Sequence, residues 1–161
     1  PRNNPDAEEC IAELLTRWRN DGRPVIHVQH LSREPDSPLR PEQPGVEILP
    51  AVAPHPGEPL FQKTVNSAFI GTDLDQHLRD SGIDTLVVVG LTTDHCVSTT
   101  TRMAGNLGFR AYVVADATAT FAKRDHRGAT YDAQSIHDAA LASLHGEFAE
   151  VVDLEELVTL L

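Results

Sequence analysis

Leu86-Val87-Val88-Val89-Gly90-Leu91-Thr92-Thr93-Asp94-His95-Cys96-Val97 is the stretch on which the fold turns. Its first four residues are apolar and mostly β-branched, the mark of a strand buried on both faces of a parallel sheet. Thr93 or Asp94 can cap a helix predicted over 95–107, and Gly108 stops it. A strand feeding a helix in this way is half of a β-α-β unit, whose crossover is right-handed. The same stretch puts Cys96 in the first turn of that helix. There, unpaired amides and the helix dipole favour a thiolate. Those amides can also hold an oxyanion when the thiolate attacks a carbonyl. The competing reading of Cys96 is a small buried core residue.

Outward from this stretch the alternation continues. Downstream, a buried strand is predicted over 111–115, a helix over 132–144, a short strand over 148–152 and a last short helix near Asp153. Upstream, Ile11, Leu14, Leu15 and Trp18 recur at helical spacing and predict a helix over 6–20. Short strands are predicted over 25–29 and 60–63. A helix over 73–81 carries Leu74, His77 and Leu78 on one side and stops at Gly82. Residues 31–59 are rich in proline and read as a long connection of the kind that forms lids and binding loops. The pattern is that of an α/β fold in one domain over 1–161, with helices on both faces of a mostly parallel sheet.

A chain of 161 residues, 40% apolar and 23% charged, can bury the core of one such domain. No apolar run is long enough to span a bilayer, and residues 1–20 lack the pattern of a signal peptide, so the expected location is the cytoplasm. A net charge of −11 argues against nucleic acid and anionic membranes as partners. Cys10 and Cys96 are too few for a disulfide framework.

Ligands of open parallel sheets bind at the carboxyl ends of strands. Lys63, Cys96 and Asp116 all fall there. Lys63 can lie partly buried beside the thiolate, or be an ordinary solvated strand end. Asp116 reads as a cap of the turn after its strand. His27 and His30 are three apart, so on a strand they face opposite ways and make a poor metal pair. His95 can line a pocket beside Cys96. Cys10, among acidic residues of the first helix, reads as structural.

The runs Gly90-Leu91-Thr92-Thr93-Asp94-His95-Cys96-Val97-Ser98 and Gly108-Phe109-Arg110-Ala111-Tyr112-Val113-Val114-Ala115-Asp116-Ala117 resemble the isochorismatase-like cysteine hydrolases. Lys63-Thr64-Val65-Asn66-Ser67-Ala68-Phe69 resembles the segment bearing that family's lysine. The resemblance implies a Rossmann-like three-layer αβα fold and a triad of Asp, Lys and Cys. Lys63 and Cys96 take the second and third roles. It also implies a non-proline cis peptide at the bond between Leu91 and Thr92, with the amides of Thr92 and Cys96 as oxyanion hole. His95, Asn66 and Phe69 are expected to line the substrate pocket. No cofactor is expected, and a homo-oligomer, dimer or tetramer, is.

Two departures stand out. The family's aspartate ends a first central strand, whereas Pro1-Arg2-Asn3-Asn4 already lies past that point and Asp6 belongs to the first helix. The expectation is therefore an N-terminally incomplete domain whose first central strand is absent. Second, the Asp-x-His pattern with which family nicotinamidases hold a metal reads here His30-Leu31-Ser32, so no metal is expected. Retention of Cys96 points to hydrolysis of an amide-like C–N bond of a small molecule through a thioester. An isochorismatase-type ether hydrolase and a non-catalytic thiol-based binding or redox-sensing protein are the alternatives.

Overall fold

The computed structural model describes residues 1–160. In chain order it contains α1 (Ala7–Asn20), β1 (His27–His30), β2 (Leu60–Lys63), α2 (Leu74–Asp80) and β3 (Thr85–Leu91). A π-helical turn (Thr93–Val97) runs into α3 (Ser98–Asn106). Then follow β4 (Arg110–Ala119), β5 (Lys123–Arg124), β6 (Thr130–Tyr131), α4 (Ala133–Ala142), β7 (Glu150–Val152) and α5 (Leu154–Leu160). No described helix is long and apolar enough to cross a membrane.

The strand order β3-β4-β7 is parallel throughout, and β4 is its buried centre. Side chains of a strand point alternately to opposite faces. Val114 accordingly packs with Ile11 and Leu14 of α1 and Leu154 and Leu157 of α5. Val113 packs on the other face with Val97, Leu141 and Leu144. Neither valine is exposed at all, and each contributes about 1.5–3 kcal/mol of burial. β3 follows the same rule. Val87 and Val89 join the α1 side, while Leu86 meets Leu74 and Leu78 of α2 and Val88 faces Leu141 of α4. The run that reads as doubly buried is covered by helices on both sides for this reason. In α1, Glu8 and Glu9 in the first turn and Arg17 and Arg19 in the last complement the helix dipole.

β1 and β2 form a second parallel pair, in register from His27↔Leu60 to His30↔Lys63. Among the described residues this pair is not hydrogen-bonded to β3. A cavity of about 310 Å³ lies between β1 and β3, lined by His27, Val28, Leu86, Val87, Val88 and Val89.

Several elements differ from the sequence reading. β1 opens at His27, whose amide meets the Pro59 carbonyl at 2.9 Å, rather than at Val25. β4 continues to Ala119 because its register shifts after Val88 and pairing resumes at Gly90↔Thr118. Asn4 clamps that irregularity, donating from Nδ2 to the carbonyls of Ala115 at 3.0 Å and Thr118 at 2.7 Å. Residues 123–131, where no element was predicted, form an antiparallel hairpin, β5 with β6. Neither Thr93 nor Asp94 caps α3: no side chain does, because the π turn precedes it.

Candidate active site

β1 and β2 end side by side, which places His30 and Lys63 at one sheet edge. Lys63 is only 4% exposed. A buried ammonium must find acceptors for its three protons. Nζ donates to His30 Nδ1 at 2.9 Å, to the Val65 carbonyl at 3.0 Å and to Cys96 Sγ at 3.2 Å. No carboxylate is among these partners.

Cys96 reaches Lys63 from the π turn. The peptide between Leu91 and Thr92 is cis, and Thr92 is extended before the turn begins. The Thr92 carbonyl then accepts the amides of His95 and Val97, each at 3.2 Å, which straddle Cys96. Side chains pin the turn from two directions. Thr93, fully buried, has Oγ1 2.9 Å from Nδ1 of His137 on α4. Asp94 accepts the Thr120 hydroxyl and forms an ion pair with Lys123 of β5 at 2.9 Å.

Environment sets the charge of these groups. Burial and the Lys63 charge lower the pKa of His30, against the opposing pull of the Val65 carbonyl. Burial lowers His137 as well. Burial works to raise Asp94, but the Thr120 hydroxyl, Lys123 and His95 outweigh it and hold the carboxyl below its usual range. Both imidazoles thus favour the neutral form and Asp94 the charged one.

The structure brings Lys63 and Cys96 into contact and disperses the other candidates. His95 is more than half exposed and stands 3.6 Å from Asp94. Asn66 is exposed, and its carbonyl accepts the Thr100 hydroxyl at 3.5 Å. Phe69 belongs to the core, its ring stacked on Phe109 at 5.9 Å; its apolar ring is drawn under α2 and α3 rather than to the Cys96 surface. His27 bonds Glu58 at 2.8 Å. Asp116 accepts from the Leu154 amide at 3.0 Å and so caps α5, not the turn after its own strand. Cys10 packs beside the α1 core, where burial pushes its thiol up. Among the described residues no group of three or more His, Cys, Asp and Glu gathers as a metal centre would. His30, the histidine nearest the family's metal pattern, is engaged with Lys63.

His30, His137 and Lys123 are the contacts the sequence reading missed. Each depends on a pairing between distant segments. For His30 the signal was present but mute: it and Lys63 each end a strand, and only the register makes them neighbours.

Chemistry gathered at the carboxyl ends of parallel strands, under helices on both faces, defines a Rossmann-like α/β protein with a helix-start thiol. The family model for the isochorismatase domain matches residues 1–156, and the chain belongs to the isochorismatase family of hydrolases. YrdC of Bacillus subtilis, an uncharacterized isochorismatase family protein, is 49% identical over 157 residues, 98% of this chain and 84% of that protein. A solved structure from Chromobacterium violaceum, assigned to the isochorismatase family, superimposes with a TM-score of 0.94 at 45% identity, covering 99% of this chain and 82% of that one. The ureidoacrylate amidohydrolase RutB of Methylobacterium radiotolerans is 35% identical over 107 residues, 66% of this chain and 38% of RutB.

Proposed function

We propose that this hydrolase cleaves the C–N bond of a small amide-like substrate, with Cys96 as nucleophile and Lys63 as its counter-charge. The observation that carries the reading is the 3.2 Å contact between Lys63 Nζ and Cys96 Sγ. The similarity to an amidohydrolase supports the choice of bond. Sγ adds to the carbonyl carbon, and the oxyanion that forms lies at the amides of Thr92 and Cys96. Collapse breaks the C–N bond and the amine leaves with a proton, giving a thioester on Cys96. Water then adds to the thioester, releasing the acid and restoring the thiol.

The gap between β1 and β3 supports a further reading, in which another parallel strand lies there and the triad aspartate at its end takes the thiol proton. A homo-oligomer, dimer or tetramer, accompanies this reading by resemblance. Sedimentation measures it directly.

A panel of amides and ureides tests the chemistry. Cys96→Ala lowers turnover by about 10⁴-fold or more, as loss of a nucleophile does. A slow substrate leaves its acyl mass on the Cys96 peptide. Undiminished hydrolysis by Cys96→Ala refutes the covalent route.

A further inference from the structure

We infer that His30 is a positioning residue of this site: its neutral imidazole holds the Lys63 ammonium so that one N–H points at Cys96 Sγ. The inference rests on the proposed roles of Cys96 and Lys63. An ammonium has three donors at tetrahedral angles, so two fixed acceptors decide where the third points. His30 Nδ1 at 2.9 Å and the Val65 carbonyl at 3.0 Å are those two, and the third N–H meets Sγ. His30 is placed by the ladder itself, as the register partner of Lys63 at the end of β1 and β2.

The choice of an imidazole has an electrostatic consequence. A neutral nitrogen fixes direction without neutralising charge. The arrangement works while His30 is uncharged. Lys63 from β2 is the charged group facing it, the Val65 carbonyl is the polar one, and Cys96 of the π turn is the titratable group beyond. In acid, a protonated His30 can no longer accept from Lys63, and two like charges face each other.

Alkylation of Cys96 by iodoacetamide, followed from pH 5 to 9 on the Cys96 peptide by mass spectrometry, tests this without any substrate. His30→Leu slows alkylation at pH 7 about tenfold, the weight of one charge-assisted hydrogen bond, and reshapes the pH profile. His30→Asn, whose Oδ1 falls near the place of Nδ1, restores the rate and removes the histidine limb in acid. Folded variants with the wild-type rate and profile overturn the inference. Should His30→Leu not fold, ¹⁵N NMR of the wild-type imidazole decides: an unprotonated Nδ1 at neutral pH supports the role, and a protonated Nδ1 refutes it. Failure of the hydrolase reading shows up separately, as unchanged amide turnover in Cys96→Ala.

Discussion

Replacing Glu58 by Gln tests how the proline-rich connection is fastened to the strand that carries His30. The carboxylate accepts four hydrogen bonds: from Arg19 Nε at 2.7 Å, Arg19 Nη2 at 2.8 Å, His27 Nε2 at 2.8 Å and the His55 amide at 2.8 Å. The Glu58 side chain is 14% exposed and that of Arg19 19%, so solvent screens the pair only weakly. Gln keeps the shape but puts an NH2 where an acceptor stood. At least one donor then faces another donor, and the rest lose their charge assistance. The expected cost is about 2–4 kcal/mol, or a fall in Tm of roughly 5–15 °C for a domain of this size. The Arg19 hydrogen bonds, against burial and with help from His55 and His27, hold the Glu58 carboxyl well below its ordinary value of 4.5. A depressed carboxylate stabilises the fold fully above its unfolded pKa and progressively less below it. The gap in Tm between wild type and Glu58→Gln is therefore full at pH 7 and narrows as pH falls below 4.5. Calorimetry from pH 7 to pH 3 measures both quantities. A change in Tm under about 1 °C at neutral pH, or a gap that stays constant into acid, refutes the reasoning.

Two further perturbations address the frame of the site. His137→Leu leaves the buried Thr93 hydroxyl without its partner and costs about 1–3 kcal/mol in urea unfolding at pH 7. Because the folded pKa of His137 lies below the ordinary 6.5, the unfolded chain takes up a proton first as pH falls. The wild type thus loses stability below pH 6.5, and the variant loses less. Asp132→Ala removes the N-cap of α4, where Oδ1 accepts the Ser135 amide at 2.7 Å. Tm falls by roughly 2–4 °C, while far-ultraviolet circular dichroism stays that of the folded protein.

The elements legible in the sequence are those whose own composition decides them. β2 occupies 60–63 as its apolar run predicts, and α2 stops before Gly82. The run from Leu86 to Val89 is buried on both faces because helices cover both. What escaped reading depends on partners far along the chain. Lys123 and Arg124 have no apolar alternation, and only pairing with Thr130 and Tyr131 makes them a strand. Asp116 and Ala117 have little strand propensity, yet β4 runs through them because Asn4 and the Gly90 and Leu91 ladder hold the strand on either side. In the candidate site, Cys96 was readable from its position after a buried strand, and Lys63 from its segment's resemblance. His30 reads, by its spacing from His27, only as half of a poor metal pair. Its contact with Lys63 belongs to the register of two strands that are 33 residues apart at that point.

The π turn at Thr93–Val97 bears on what insertions and deletions this chain can accept. Thr93, Val97, Thr101 and Ala104 lie on its buried side and that of α3, and Cys96 is only partly buried beside them. A π turn holds one residue more than the α-helical turn it replaces. Deleting a residue before Cys96 restores ordinary helical phase but turns each upstream side chain of the turn by roughly 100° relative to those downstream, the fully buried Thr93 among them. Thr93 would leave His137, Asp94 would leave Lys123, and Sγ would lose its aim at Lys63. The turn is therefore length-sensitive: a one-residue gap disturbs the core at Thr93 and the site at Cys96 together.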